Sequence, residues 1–169
     1  MKKTGKFEKV SYEQWRSAIM AQTDSLTEAE ITGLYEQITL PVRATRASAG
    51  HDFRSPIWVE LAPGEDIVIP TGIRCRITDG WFLGLFPRSG LGFKYYLRLA
   101  NTTGIIDADY YASDNEGHIM IKLRNESVDN TLTVNRGDAI AQGVFLPYGV
   151  TVDDTANAAR NGGFGSTGA

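Results

Sequence analysis

Two periods divide the chain at Pro41. Before it, apolar residues recur at helical spacing, first as Tyr12, Trp15 and Ile19 and then as Ile31, Leu34, Tyr35 and Ile38. Each run has a start signal. Ser11 and Gln14 stand at capping-box spacing with Val10 and Trp15 placed as a hydrophobic staple, and Thr27, Glu30, Leu26 and Ile31 repeat the arrangement. The pattern predicts two short helices whose apolar stripes serve as core or packing surface. After Pro41 the period is two. The runs "IWVEL", "IVIP", "GIRCRI", "WFLGLF", "IMIKLRN" and "DAIAQGVFL" are separated by the turn-formers "APGED", "TDG", "NESVDN" and "NRGD". Strands this short and this regularly spaced predict an all-β sandwich or barrel rather than a parallel α/β sheet. From about Gly149 the apolar pattern stops and the chain turns polar, small and glycine-rich. The expected organisation is a helical N-terminal extension over 1–41, a β-barrel over 42–150 and a flexible C-terminal arm over 151–169, all in one domain without internal repeats.

Composition narrows the partners. At 169 residues the chain suits one domain with a real core. Its net charge of -3 comes from intermixed signs, so it lacks the basic stripe that nucleic-acid binding by phosphate neutralisation requires. The lone Cys75 shares one strand face with Ile73 and Ile77, which reads as a small buried hydrophobe. The first residues lack the apolar core of a secretion signal, and no stretch approaches the roughly 18 apolar residues of a membrane span. A soluble, cytoplasmic protein is expected.

Several reaction types find no residues to serve them. No phosphate-binding P-loop and no G-x-S-x-G nucleophile turn occur, and His51 and His118 have no second histidine or cysteine at metal-ligand spacing. What remains is a series of polar clusters at strand ends: "SAGHD", "PRSG", "NTTGIIDADY", "RGDAIAQ" and the tail "RNGGFGSTG". Singly each is ordinary turn chemistry. In the tail, Phe164 is a large ring among glycines whose amides can approach an anion closely.

In this order and spacing the five clusters resemble the five motifs of the homotrimeric dUTP pyrophosphatases (dUTPases), over roughly residues 42–169, and "PRSGL", "GIIDADY", "GDAIAQ" and "GGFGSTG" carry the resemblance. It implies a jelly-roll-like β-barrel, hydrolysis of dUTP to dUMP and pyrophosphate, Mg²⁺ carried on the phosphates, and a homotrimer with active sites shared between subunits. That reaction limits uracil incorporation into DNA and supplies dUMP for dTMP synthesis. Residue by residue, the resemblance makes Asp107 the base that activates water. Ile105 and Ile106 would bury the strand before it, and Tyr110 would stack beneath the deoxyribose where a 2′-hydroxyl collides. Asn101 and the backbone of a Thr102–Thr103–Gly104 hairpin would read the uracil edge. Arg88, Ser89, Gly90 and Gln142 would hold the phosphates, and Asp52 would act on Mg²⁺ through its waters. The tail would close as a lid, Phe164 on the base and Gly165, Ser166 and Thr167 on the γ-phosphate, with Arg160 beside them.

Three features depart from the family pattern. Arg160 lies four residues before Phe164 rather than five, "YASDNEGH" is longer than the usual turn after Tyr110, and the N-terminal helices lie outside the resemblance, free to pack on the barrel or to meet a protein partner. The nearest enzymatic rival is a dCTP deaminase, which places a glutamate where this chain has Lys122; the rival of another class is a regulatory nucleotide-binding protein of the same fold.

Overall fold

The computed structural model describes residues 2–158. The residues expected to form the lid, Arg160, Phe164, Gly165, Ser166 and Thr167, lie outside the described residues. The two capping signals start helices where the sequence places them, α1 at Tyr12–Met20 and α2 at Glu28–Glu36. At α2 the box closes locally, Thr27 Oγ1 accepting from the Glu30 N–H and the Glu30 carboxylate from the Thr27 N–H. At α1 only half of it is local. Ser11 Oγ accepts from the Gln14 N–H, but the Ser11 N–H donates to Glu116, 105 residues away. Trp15, Ile19 and Ile31 are buried, and the Trp15 indole N–H donates to Ile31 O at 3.2 Å. The apolar stripes of both helices are thus packed against the protein's own core.

The sequence predicts a helical extension over 1–41, but the extension is not helical throughout. Gly5–Lys9 form a strand, β1, paired antiparallel with a later one, Phe7 lying opposite Cys75. Its single apolar residue gives no alternation to read, and its conformation comes from the pairing and from Phe7 packing on Phe53 and Phe145. The remaining strands follow in order: β2 (Val42–Arg43), β3 (His51–Arg54), β4 (Val59–Leu61), β5 (Asp66–Pro70), β6 (Ile73–Ile77), β7 (Trp81–Pro87), β8 (Leu97–Leu99), β9 (Gly104–Ile106), β10 (Met120–Asn125), β11 (Leu132–Val134) and β12 (Ala139–Pro147). A helix, α3 (Ser89–Tyr95), and a single 3-10 turn (Ala108–Ala112) interrupt them.

Among the described residues all strand pairings are antiparallel, in keeping with the all-β architecture that the alternation predicts and the jelly-roll-like fold that the family resemblance implies. Among the described residues the strands are distributed over four sheets about one core, β2-β3-β12-β7-β9, β5-β10-β8, β11-β4 and β1-β6, rather than hydrogen-bonded in a closed ring. Ile73, Cys75 and Ile77 bury one face of β6 as expected, and burial pushes the Cys75 thiol up to about 12, which keeps it protonated and unreactive.

His118 is a buried polar residue of the core, fully enclosed. Its Nε2 accepts the Gly72 N–H at 2.8 Å, and the Gln14 amide faces Nδ1 at 3.4 Å. Burial pushes its pKa from 6.5 down to about 4, so the folded ring is neutral where the unfolded one takes up a proton. Stability is therefore full above the unfolded value and falls as pH drops from 6.5 toward 4, by up to about 1.4 kcal/mol per pH unit. Urea midpoints at about pH 7.5 and about pH 5 should differ more in the native protein than in His118→Gln. Equal differences would assign the acid loss to other groups.

Candidate active site

The five-stranded sheet positions four of the five clusters. Asp52 on β3 lies opposite Gln142 on β12, and Gln142 lies opposite Phe86 on β7. Beyond β7, Arg88 turns back so that its Nε stands 3.5 Å from Asp52 Oδ1, with the Arg88 side chain 41% exposed and the Asp52 side chain 14% exposed. Gln142 Nε2 donates to Pro87 O at 3.1 Å. Gly50 packs closely here, since a Cβ on it would displace the Gln142 amide. Ser89 and Gly90 open α3 and are exposed. Arg88, Ser89 and Gln142 line one cleft of about 370 Å³ together with Phe93 and Arg98. Two guanidiniums, an amide and a hydroxyl in one cleft are donors suited to a polyphosphate. Arg98 is a cation that sequence reasoning did not single out, and it is paired with Glu126.

The third cluster lies at the other edge of this sheet, on β9. The segment expected as a hairpin is a tight turn between two different sheets, because β8 pairs with β10 while β9 pairs with β7. Within it the Thr102 N–H donates to Leu99 O at 3.0 Å and the Thr103 N–H to Asn101 O at 2.6 Å, and Thr102 has φ of 65°. A non-glycine residue in that left-handed region is strained and persists because its surroundings hold it. A Cβ on Gly104 would stand 3.2 Å from the Leu85 side chain. Asn101 and Gly104 line a cavity of about 550 Å³ with Leu85, Ile106, Met120 and Lys122. Its walls are largely apolar with a few polar groups, the usual make-up of a small-molecule site.

Asp107 follows β9 directly and is half-buried. It occupies the N-cap of the 3-10 turn, yet its side chain does not cap it. Only Ile106 of the preceding pair is buried; Ile105 is 62% exposed, as strand alternation demands. Tyr110 is enclosed rather than laid open, at 3% exposure, its hydroxyl donating to His118 O and accepting from Asn115 Nδ2, both at 2.8 Å. Whatever it offers a sugar, the ring is a packing element. Tyr110→Ala is expected to cost about 3–5 kcal/mol of stability in urea unfolding, besides narrowing the preference for dUTP over UTP. A loss under about 1 kcal/mol would contradict the packing role.

The strand register separates the two groups of residues. Leu83 lies opposite Ile106, so Asp107 extends past the Leu83 end of β7, whereas Gln142 pairs near the other end and on the opposite side of that strand. Four residues along β7 and two strand spacings across it amount to about 13 Å and about 10 Å. Side chains stand roughly perpendicular to a sheet and do not close such a gap.

Among the described residues no three His, Cys, Asp or Glu side chains gather as a cage for a metal ion, and no helix is long and apolar enough to cross a membrane.

A cleft of polyphosphate donors and a largely apolar pocket between two antiparallel sheets, with Asp107 one residue beyond its lining residue Ile106, describe a nucleotide-binding protein. The dUTPase family model matches residues 36–168. The deoxyuridine 5'-triphosphate nucleotidohydrolase of Lactococcus lactis subsp. lactis is 42% identical over 135 residues, covering 78% of this chain and 89% of that one. The crystal structure of dUTPase from Streptococcus mutans superposes with a TM-score of 0.65 at 31% identity, covering 88% of this chain and 98% of that one. A mutant dUTPase from phage phi11 of S. aureus, described for its coordination of a structural Mg(II) ion, gives a TM-score of 0.62 at 26% identity over 73% of this chain and 92% of that one. The chain belongs to the dUTPase family.

Proposed function

We propose that this protein hydrolyses dUTP to dUMP and pyrophosphate by attack of water on the α-phosphorus, with Asp107 orienting the water and taking its proton. The observation that carries the reading is the set of groups just described: a cleft of cationic and amide donors, a largely apolar pocket lined by Asn101, Gly104 and Ile106, and the half-buried Asp107 carboxylate next in sequence to Ile106. In the transition state charge grows on the α-phosphoryl oxygens and on the departing pyrophosphate. Gln142, Ser89 and Arg88 supply donors for that charge, and the backbone at Gly90 approaches the chain of phosphates. Asn101 and the turn through Thr103 and Gly104 read the uracil edge. On this reading it is the tight turn through Gly104, packed close on Leu85, that excludes a 5-methyl group from the base site.

Mg²⁺ suits this donor set as a ligand of the substrate rather than of a protein cage. Asp52 is a single carboxylate beside a guanidinium, enough to accept hydrogen bonds from metal-bound waters and too little to hold the ion alone. When bound, Mg²⁺ neutralises phosphate charge and fixes the phosphate conformation. The tail residues Arg160, Phe164, Gly165, Ser166 and Thr167 are assigned to the base and the γ-phosphate on the motif alone. A dissolved nucleotide as substrate fits a cytoplasmic enzyme.

The separation of Asp107 from Gln142 supports sites shared between protomers. An amide on a phosphate oxygen and a carboxylate one water away from the same phosphorus stand within about 8 Å of each other, closer than one copy of the sheet brings them. Deamination is disfavoured by Lys122, which lines the apolar pocket and is paired with Asp66 at 3.1 Å, where a deaminase needs its glutamate. Pyrophosphate and ammonia release, measured in parallel from dUTP, dCTP and UTP with Mg²⁺, tests the proposal. Pyrophosphate from dUTP far above the other two is expected. Ammonia from dCTP, or equal rates on dUTP and UTP, would overturn it.

A further inference from the structure

The N-terminal segment and the loop 111–118 grip each other, and we propose that this grip positions the Asp107 turn for catalysis, with Glu116 as its positioning residue. The inference rests on the reading of Asp107 as the water-orienting carboxylate.

On its inner side the loop closes onto Tyr110. Ser113 Oγ donates to Tyr110 O at 2.7 Å, Asn115 Nδ2 donates to the Tyr110 hydroxyl, and that hydroxyl donates to His118 O. Glu116 and Gly117 both have positive φ, 59° and 68°, and a Cβ on Gly117 would stand 2.7 Å from Tyr110 O, so the chain doubles back directly on the turn that begins at Asp107. Within the turn the Tyr110 N–H reaches Asp107 O at 3.3 Å.

On its outer side the loop is held by β1 and α1. The Glu116 carboxylate accepts the Ser11 N–H at 2.8 Å and the Ser11 Oγ–H at 2.5 Å, at the N-terminus of α1, and faces Arg74 at 3.9 Å. The Tyr111 ring lies 4.5 Å from the Arg74 guanidinium and 5.0 Å from that of Arg76, and its hydroxyl donates to Glu8 of β1 at 2.5 Å. A glutamate in a left-handed conformation is strained, and its side-chain contacts, with the Glu116 N–H donating to Ser113 O at 2.7 Å, hold it there. Releasing the carboxylate frees the loop to relax, and with it the support under Tyr110 and the aim of Asp107. Tyr110 apart, whose enclosed ring serves as packing, the contacts assigned to substrate come from Arg88, Ser89, Asn101 and Gln142 on other elements. The loss should therefore fall on turnover and not on binding.

The test uses the full-length protein. Glu116→Gln keeps the shape and removes the charge, and its kcat is expected to fall about 10-fold, since misplacement of a reacting group by about 1 Å costs up to 10²-fold. Its KM, and its Kd for a non-hydrolysable dUTP analogue, should stay within about 2-fold. Ser11→Ala, at the other end of the contact, should lower kcat about 3-fold, and the double variant should be no slower than Glu116→Gln alone, the mark of a shared interaction. Wild-type kcat per analogue-binding site in Glu116→Gln, a loss that appears in KM instead, or additive effects in the double variant would each overturn the inference. If Glu116→Gln fails to fold, Ser11→Ala is read by the same kcat and KM criteria. An inactive wild type, or an active Asp107→Asn, would instead refute the catalytic reading on which this rests.

Discussion

Replacement of Asp107 by Asn is expected to lower turnover of dUTP by about 10²-fold or more while leaving substrate affinity within a few-fold. The two side chains have the same shape, and asparagine is as acceptable as aspartate at the position before a helical turn. The Asp107 side chain makes no capping bond to its own turn, so the exchange removes no cap. What it removes is the capacity to accept a proton from water at the moment of attack. The check is kcat with saturating Mg²⁺, alongside the Kd of a non-hydrolysable dUTP analogue. Near-normal turnover would move the base elsewhere. A large loss of affinity with little loss of kcat would make Asp107 a binding residue.

The second large effect concerns assembly. If a site takes its phosphate-binding residues from one protomer and Asp107 from another, Asp107→Asn and Gln142→Ala proteins should each be nearly inactive, yet active together. Random joint assembly from equal amounts leaves roughly a quarter of the sites with neither change. Refolding the two variants together should therefore restore up to about a quarter of native activity, and mixing them without exchange should restore none. The prediction comes from the strand register, which sets Asp107 and Gln142 at opposite ends and on opposite sides of β7. Verified mixed oligomers with no recovered activity would require both residues to act within one protomer.

Much of this was legible before any coordinates. The starts of α1 and α2 were readable because capping is local chemistry, and β5, β6, β7, β10 and β12 because a buried face writes its alternation into the sequence. β1 was not, because it is a strand only by virtue of β6. Nor was α3, whose two glycines argue against a helix. The candidate site residues could be named through the resemblance of the five clusters to the family's motifs, but their grouping could not. That Asp52, Arg88 and Gln142 meet while Asp107 stands apart is a property of strand order, to which spacing along the chain is blind. The enclosure of Tyr110 and the bond between Ser11 and Glu116 were equally hidden, since each is made by partners that only the fold brings together.

The most direct test of the account is the position of the new oxygen after a single turnover of dUTP in ¹⁸O-labelled water. Attack on the α-phosphorus breaks the bond between that phosphorus and the bridging oxygen, so the water oxygen must leave in dUMP while the pyrophosphate keeps only oxygens it already had. Mass spectrometry should find one ¹⁸O in dUMP and none in pyrophosphate. Label in pyrophosphate instead would place the attack on the β-phosphorus and contradict the mechanism.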